Sequence, residues 1–517
     1  MKGQRLLLAR GVVTMMILLA ALIQSVPTYA QTAVKGTVLD NAGKPVSGAS
    51  VAVKGKKTGT LTDADGKFSL STVAGDVLVI TSVGFAEQQV VVTSSTLNVV
   101  LQSSATKLED VVVVGYGTQR KRDLTGAVSY VNVAETKSYS ASNLSQLLQG
   151  RATGVAVNSD GEPGAAPSVR IRGFSTFGGA QPFYVVDGVP GANIRDFSPN
   201  DIETMTVLKD ASAAAIYGAA AANGVIIITT KQGKKNTALK VNYSGYYGTD
   251  QVWQIQDVTN RVQYQTLNNE SRVNAGKPLF PANDPSNPLF VSNINTDWQK
   301  EGLKSGSRQN HNISLSGGGS NNTYNVSLDY FNNKGTYVGN GPDYTRYTAR
   351  VNTTAEKGIL KVGQAFNYTH SHENTLTFRD DILLGAIPPM IGSLVAAIPT
   401  MPVYDPTLLN GYGGSNSEFN GANSLNAIGI NNILKNYVDV DRMFANVYGE
   451  LKLLNTGAHS LKAKTSLNYD KTLTRDYTWQ PAFYLGKFFS RDIATLYDGA
   501  RTYTNSSIEN TLSYDFT

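Results

Sequence analysis

The sequence predicts a mostly β chain: a small N-terminal antiparallel sandwich, an α+β segment, and then antiparallel strands of the outer-membrane β-barrel type. Three observations predict it. From Ala33 to Leu101, short Val- and Thr-rich runs recur every ten residues or so, with turn residues between them. From Leu124 to Gly233, short helical and strand signals are mixed around an apolar run at Val225-Ile226-Ile227-Ile228. Beyond Leu239, apolar and polar residues alternate over strand-length stretches, and the polar partners are Asn, Ser, Thr and Gln rather than charges. Composition agrees: 16% of the 517 residues are charged, against about 25% in soluble domains. There is no Cys, which excludes disulfides, thiolate zinc, iron–sulfur clusters and a Cys nucleophile.

Residues 1–30 have the form of a secretory signal. Lys2, Arg5 and Arg10 precede an apolar run from Val12 to Ile23, Pro27 breaks it, and Ala30 is a small residue at the expected cut. A run of this length is short of the roughly 20 residues that a spanning helix needs. Removing those three cations takes the formal charge from +6 to +3, too even a balance to suggest a nucleic-acid partner. A later apolar stretch, Ala386 to Val403, is interrupted by Pro388, Pro389, Pro399 and Pro402. The chain is therefore expected to be exported and to cross any membrane with strands. Export without Cys fits a Gram-negative envelope better than an animal secretory route.

Residues 31–102 carry the sandwich, with strands expected at Gly36–Leu39, Ala49–Val53, Thr60–Thr62, Lys67–Leu70, Val77–Ile80 and Gln89–Val92. Asp63-Ala64-Asp65-Gly66 is expected to be a hairpin turn rather than a calcium loop, because no Glu completes a ligand set. Residues 103–123 form a linker that holds Glu109 and Asp110, then Val111-Val112-Val113-Val114, then Gly115-Tyr116-Gly117. Four β-branched residues with no evident neighbour suit addition to the edge of another protein's sheet. An internal edge strand fits the same residues equally well. Gly115-x-Gly117 lacks the third Gly and the helix of a dinucleotide motif.

Residues 124–233 are expected to be α+β. Asn143–Leu148 is a short helix stopped by Gly150, Ser168–Gly173 and Phe183–Gly188 contain strands, Asp201 caps a following element, and Asp210–Tyr217 is a capped helix ended by Gly218. Arg170 and Arg172, two apart on a strand, point to one face. With Asp187, Glu203, Lys209 and Asp210 they are charges in an otherwise neutral segment, suited to ion pairs inside it or to a surrounding wall. Such pairs either gate or simply stabilise. Phe177, Phe183 and Tyr184 lie near turns, where aromatic rings stack on sugars or pack a core. No nucleophile, base and orienting group come together in the sequence, so no enzyme, cofactor or metal site is expected.

Residues 234–517 alternate in the manner of membrane strands. Val241, Tyr243, Gly245 and Tyr247 share one phase, as do Ile313 and Leu315, Tyr324 to Tyr330, Tyr347 to Val351, Leu360 to Tyr368, Val447 to Leu453, Leu461 to Tyr469, and Leu512 to Phe516. One apolar face, one neutral polar face and Tyr near the ends mark strands that face lipid. In hydrocarbon every backbone polar group must be paired, so such a sheet has to close on itself. His370 and His372 share a strand face, but two ligands do not make a metal site.

Several strings resemble the SusC/RagA family of TonB-linked outer-membrane proteins. They are LEDVVVVGYGTQRKRDLTGAV from Leu108, LLQGRATGVAV from Leu147, VRIRGFSTF from Val169, PFYVVDGVP from Pro182, NDIETMTVLKDASAAAIYG from Asn200 and ANGVIIITTKQG from Ala222. TDWQKEGLKSGSRQNHNISLSGG from Thr296 and MPVYDP from Met401 continue the likeness. The resemblance implies that residues 31–102 are a carboxypeptidase-regulatory-like sandwich. Glu109 to Val114 become the TonB box, residues 124–233 a plug, and residues 234–517 part of a 22-stranded barrel. It also implies import of an oligosaccharide or peptide, with a SusD-like surface lipoprotein as lid and the TonB–ExbB–ExbD complex supplying energy. Where the family often has a Ser-Arg-type pair after the plug's Tyr-Gly, this chain has Ala219-Ala220-Ala221, and no role is carried over there. The residues after Gly233 are too few for 22 strands with their loops, so roughly half the barrel is expected to be absent from this chain. Two alternatives stand beside import: a glycan-binding adhesin of the outer membrane that does not import, and an exported hydrolase with an accessory sandwich. A TonB box argues against the first, and the lack of a catalytic grouping against the second.

Overall fold

The computed structural model describes residues 32–102 apart from 42, 57 and 83–84, then 111–114, 117–120, 127–133, 141–174 apart from 160, 180–191, 194–376 and 390–516. The signal segment, Glu109, Asp110 and Phe177 lie outside the described residues. The chain divides into two compact units, residues 1–110 and 111–517.

The first unit is a sandwich of two sheets. Strands β1 (Thr32–Asp40), β4 (Lys67–Thr72) and β7 (Thr96–Leu101) form one, in the order β4-β1-β7. Strands β2 (Ser50–Val53), β3 (Gly59–Leu61), β5 (Val77–Thr81) and β6 (Gln88–Val91) form the other, in the order β3-β2-β5-β6. Alternation builds it: Phe68 and Leu70 point inward while Lys67 and Ser69 face solvent. They meet Val34, Val38, Val51, Leu78 and Ile80 in one core. Two features depart from the sequence reading. The strand Thr96–Leu101 is additional, and it runs parallel to β1, so the sandwich is not wholly antiparallel. Asp63 does make a turn: its carboxylate accepts from the backbone N–H of Asp65 at 3.0 Å and of Lys67 at 2.8 Å.

The second unit opens with a hairpin, β8 (Val111–Val114) against β9 (Gly117–Arg120), in register Val111↔Arg120 to Val114↔Gly117. This corrects the view of Val111–Val114 as a strand lacking a local partner.

A five-stranded sheet follows, in the order β10-β15-β16-β13-β14. Its members are β10 (Val128–Asn132), β13 (Phe183–Val186), β14 (Val189–Pro190), β15 (Ile202–Leu208) and β16 (Val225–Thr230), with a separate hairpin of β11 (Val155–Asn158) and β12 (Ser168–Ile171). β16 is buried on both faces, as its unbroken apolar run implies. Ile226 and Ile228 enter a core with Leu144, Leu148, Val169, Val186 and Met205. Val225 and Ile227 enter another with Val185, Leu208 and Ala221. Two local expectations fail here. Asp201 precedes a strand rather than a helix. Asp210 stands at the N-terminus of the helix Ala211–Ala214 but makes no side-chain cap, because its carboxylate accepts the backbone N–H of Ala127 at 2.6 Å instead.

Eight long strands then form one antiparallel sheet. They are β17 (Thr237–Asp250), β18 (Gly306–Gly318), β19 (Asn322–Lys334), β20 (Asp343–Lys357), β21 (Leu360–Asn374), β22 (Lys435–Asn455), β23 (His459–Gln480) and β26 (Thr495–Phe516), paired in chain order. A minor hairpin, β24 (Phe483–Tyr484) and β25 (Ser490–Arg491), lies between the last two. The sheet is built inside out relative to a soluble one. On β19, Thr323, Asn325, Ser327 and Asp329 are buried while Leu328 is 54% exposed. The same inversion exposes Ile313, Tyr347, Val447, Leu467 and Ile508 and buries Asn312, Arg346, Asn446 and Asn468. The buried polar face meets the five-stranded sheet and its loops.

Connections at one end of this wall are two or three residues, at 319–321, 358–359 and 456–458. At the other end they span 251–305, 335–342, 375–434 and 481–494. These long connections fold on themselves: Trp298, Leu394, Ile398, Met401 and Ile428 share a core, and the Trp298 indole N–H donates to the Ile398 carbonyl at 2.9 Å.

Candidate functional site

The site is the seam between the small sheet and the polar face of the wall. Arg346 and Arg350 are four apart on β20 and so point the same way. Across β21, Thr348 faces Thr369, which faces Arg442 on β22. The three arginines therefore form a triangle on the inner face, each side chain 1% exposed. Such burial of guanidinium groups requires partners, and all three have them. Arg442 grips Asp470 with two nitrogens, at 2.8 and 2.5 Å. Arg346 reaches Asp329 at 3.5 Å. Arg350 crosses the seam to Asp187 at 2.6 Å and Thr230 at 2.7 Å.

Phe197 fills the centre of the triangle. Its ring centroid lies 5.2 Å from the Arg442 guanidinium and 6.0 Å from that of Arg350, and Phe444 meets it edge-on at 5.4 Å. Its carbonyl accepts from Arg346 at 3.4 Å. Cations over an aromatic face and an aromatic edge beside it are both attractive geometries.

The flanking residues of the same loop fasten it on either side. The Asn200 amide donates to Asn310 at 2.7 Å and to Asp329 at 2.9 Å. Asp201 accepts from the Ser327 hydroxyl, and burial pushes its carboxyl above the usual range against the pull of Arg350. Asp196 gives its carbonyl to the Thr369 hydroxyl at 3.0 Å, and Arg195 pairs with Glu373. Asn352 donates to the Lys231 carbonyl at 2.8 Å. Gly233, where the small domain hands over to the wall, lies so close that a Cβ there would meet the Tyr324 and Gly317 carbonyl oxygens at 2.3 and 2.5 Å. Beside Asp187 a cavity of about 520 Å³ opens toward the short-turn end, lined by Lys361, Glu450, Lys464 and Glu509 among others.

The charges singled out in the sequence divide. Asp187 pairs with the wall. Arg172 pairs with Asp210 at 2.5 Å within the small domain. The Ala127 N–H and then Arg172 hold the Asp210 carboxyl below its ordinary range. Lys209 donates to the Thr153 hydroxyl at 2.9 Å, and desolvation followed by the nearby Arg172 lowers its ammonium. Arg170 and Arg172 do not share a strand face: β12 ends at Ile171, and Arg172 turns out with φ +58°. Arg170 instead lies over the Phe174 ring at 4.0 Å. Glu203 is exposed and makes no ion pair among the described residues. Phe183 packs with Tyr217 at 5.9 Å. Tyr184 packs against the opposite core, where burial pushes its hydroxyl up to about 12. Both rings thus have packing partners. His370 and His372 each face a carboxylate, Asp441 at 3.0 Å and Asp439 at 2.6 Å.

Sequence reasoning missed Arg346, Arg350, Arg442 and Phe197. The signal was present in Thr345-Arg346-Tyr347-Thr348-Ala349-Arg350-Val351: two arginines at the inward phase of a strand whose outward phase is apolar.

Residues 120–225 match the TonB-dependent Receptor Plug Domain, and residues 34–113 match the CarboxypepD_reg-like domain. The chain is 36% identical over 402 residues to TonB-dependent receptor SusC of Bacteroides thetaiotaomicron, an alignment covering 75% of this chain and 38% of the relative. It is 35% identical over 381 residues to TonB-dependent receptor P26 of Formosa agariphila, covering 72% and 36%. The chain thus spans well under half the length of these relatives. Among solved structures, the RagAB peptide importer in its open-open state matches with a TM-score of 0.61 at 23% identity, covering 78% of this chain and 46% of that one. That likeness speaks to the fold alone.

Proposed function

Because the chain belongs to the SusC/RagA-like TonB-dependent receptors, we propose that it serves energy-dependent import of a bulky nutrient, an oligosaccharide or peptide, across the outer membrane. The observation that carries this reading is the inverted wall. Its apolar face suits lipid and its polar face grips a separately folded plug. The short turns then lie on the periplasmic side and the long, folded connections outside, where a SusD-like lipoprotein would cover them.

A plug held by buried ion pairs does not leave by thermal motion alone, and the outer membrane holds no ATP. Work must arrive mechanically, and Glu109 to Val114 form the handle in this reading. To be grasped, Val111–Val114 exchanges its β9 partner for a strand of TonB, trading one backbone ladder for another. The register of the plug sheet supports a route for the force. Val128 faces Leu208 and Asn132 faces Thr204, so β10 and β15 are antiparallel. Tension enters β10 at Val128, whereas β15 is fastened to the wall at its far end, beside Asn200 and Asp201. That arrangement loads the ladder in shear, all its hydrogen bonds together, and delivers the pull to the wall anchor before the sheet unzips.

The test is growth of a strain lacking the gene on a panel of oligosaccharides and peptides. The full gene, or a variant with Asn200→Cys and Asn310→Cys, is returned to it. Import predicts loss of growth on one nutrient class, rescue by the wild-type gene, and rescue by the Cys pair only under reducing conditions. Unimpaired growth on every nutrient together with lost surface adhesion would favour the non-importing alternative.

A further inference from the structure

The outer face of the wall carries a feature that its smooth alternation does not require. On β20, Ala349 faces Leu328 on one side and Tyr368 on the other. One row closer to the long connections, His311, Tyr330, Tyr347 and His370 lie abreast on β18 to β21. Their rings form a continuous belt, with centroids 6.2 Å apart for His311–Tyr330, 5.1 Å for Tyr330–Tyr347 and 6.5 Å for Tyr347–His370. Tyr243 extends it by leaning across Gly245, where a Cβ would meet its hydroxyl at 2.7 Å, to share a hydrogen bond with His311 Nδ1 at 2.7 Å.

Below this belt the small Ala349 side chain leaves a dent between larger neighbours. The result is a groove of about 410 Å³, floored by Ala349, walled by Ile313, Leu328 and Tyr368 and roofed by Tyr330 and Tyr347. Its walls are almost wholly apolar, while polar atoms collect at the roof: the Tyr243–His311 pair, and Asp441 accepting from the Tyr368 hydroxyl at 2.6 Å. A Tyr- and His-bearing belt marks the interface level, where amphipathic rings settle between headgroups and hydrocarbon.

We propose that this groove is a seat for one acyl chain of an outer-leaflet lipid, its headgroup held at the level of the Tyr–His belt. The inference rests on the membrane reading above. It follows from position: the groove lies within the apolar band on β18 to β21, with Tyr243 of the sheet's end strand β17 at its margin, and opens where hydrocarbon is in reach. A lipid seated there is ordered by Ile313, Leu328 and Tyr368 around it and by the rings of Tyr330 and Tyr347 above.

The test is photolabelling of the full gene product, reconstituted in phosphatidylethanolamine–phosphatidylglycerol vesicles doped with a phosphatidylethanolamine that carries a mid-chain diazirine. The groove predicts label concentrated on peptides containing Ile313, Leu328 and Tyr368, several-fold above those containing Val447 and Leu467. Ala349→Trp, which fills the floor, lowers that label several-fold, while Ala349→Gly retains it, and both variants keep the heat-modifiable gel shift of a folded barrel. Label spread evenly over all strands, or unchanged by Ala349→Trp, overturns the seat and leaves the membrane reading intact. No acyl label on any strand overturns both. Spontaneous disulfide dimers of Leu328→Cys would assign the groove to a second copy of the chain and overturn the lipid assignment.

Discussion

Asp187, held at φ +49° in the turn that follows β13, meets Arg350 of the wall at 2.6 Å with only 9% of the carboxylate side chain and 1% of the guanidinium side chain exposed. The same carboxylate also accepts from the Thr230 backbone N–H at 2.9 Å and its hydroxyl at 2.7 Å. One plug residue thus ties β13, β16 and β20 together. Desolvating both charges is costly, so the pair is better understood as a latch than as a large net gain in stability.

Breaking that latch from one side leaves the other charge buried and alone, a loss of about 3–5 kcal/mol. Asp187→Asn and Arg350→Met are each expected to lower the denaturant midpoint of plug release in detergent. The double variant should lose clearly less than the sum of the two. Additive losses in this double-mutant cycle would mean that the two side chains do not act as a pair.

Phe197 makes a different prediction because it carries no charge. Phe197→Ala empties the centre of the arginine triangle and is expected to cost about 3–5 kcal/mol by the same titration. Phe197→Leu refills much of the volume but provides no ring face to Arg350 and Arg442, so it should fall between the two. A Leu variant equal to wild type would leave packing alone as the role of the ring.

The handle is tested by Val112→Pro. Val112 pairs with Gln119 in the described hairpin, and a Pro there removes a ladder donor in either partner's sheet. Uptake is expected to vanish while surface binding of the nutrient persists. Unchanged uptake would remove the role assigned to Val111–Val114.

The sandwich offers a pH prediction of its own. Asp76 accepts hydrogen bonds from the Lys56 ammonium, at 2.9 and 2.8 Å to its two oxygens, and from the Thr72 hydroxyl at 2.6 Å and the Val73 N–H at 3.2 Å. Together they lower its carboxyl from 3.8 to about 2, the Lys56 bond most. A depressed carboxyl stabilises the fold above its unfolded value, near 4, and that contribution fades as pH falls toward 2. Carbon-detected NMR titration should show Asp76 still ionised at pH 3, and Lys56→Met should move its midpoint upward.

Much of the wall was legible in the sequence because its period is two and its off-phase residues are neutral. Leu328 and Ser327 take opposite faces, as that alternation requires. The plug's central strand was legible from Val225 to Thr230 because nothing polar interrupts it. The seam was not. Phe197 sits in a loop with no periodicity, and which inward residue meets which plug residue depends on how two separate sheets dock, information that no single stretch of chain contains. Asp210 misled in another way. An Asp before a helix usually caps it, but Ala127, the residue leading into the edge strand β10, offered its N–H and took the carboxylate.

The most direct test of the inverted wall uses the absence of native Cys. Single cysteines introduced in turn from Tyr324 to Tyr330 on β19, spin-labelled in bilayers, should alternate. Labels at 326 and 328 should be reached by oxygen and not by a water-soluble nickel reagent, and labels at 325, 327 and 329 should be immobilised against the plug and shielded from oxygen. Equal access of the nickel reagent to 326 and 328 would contradict the account, because the apolar face would then lie in water.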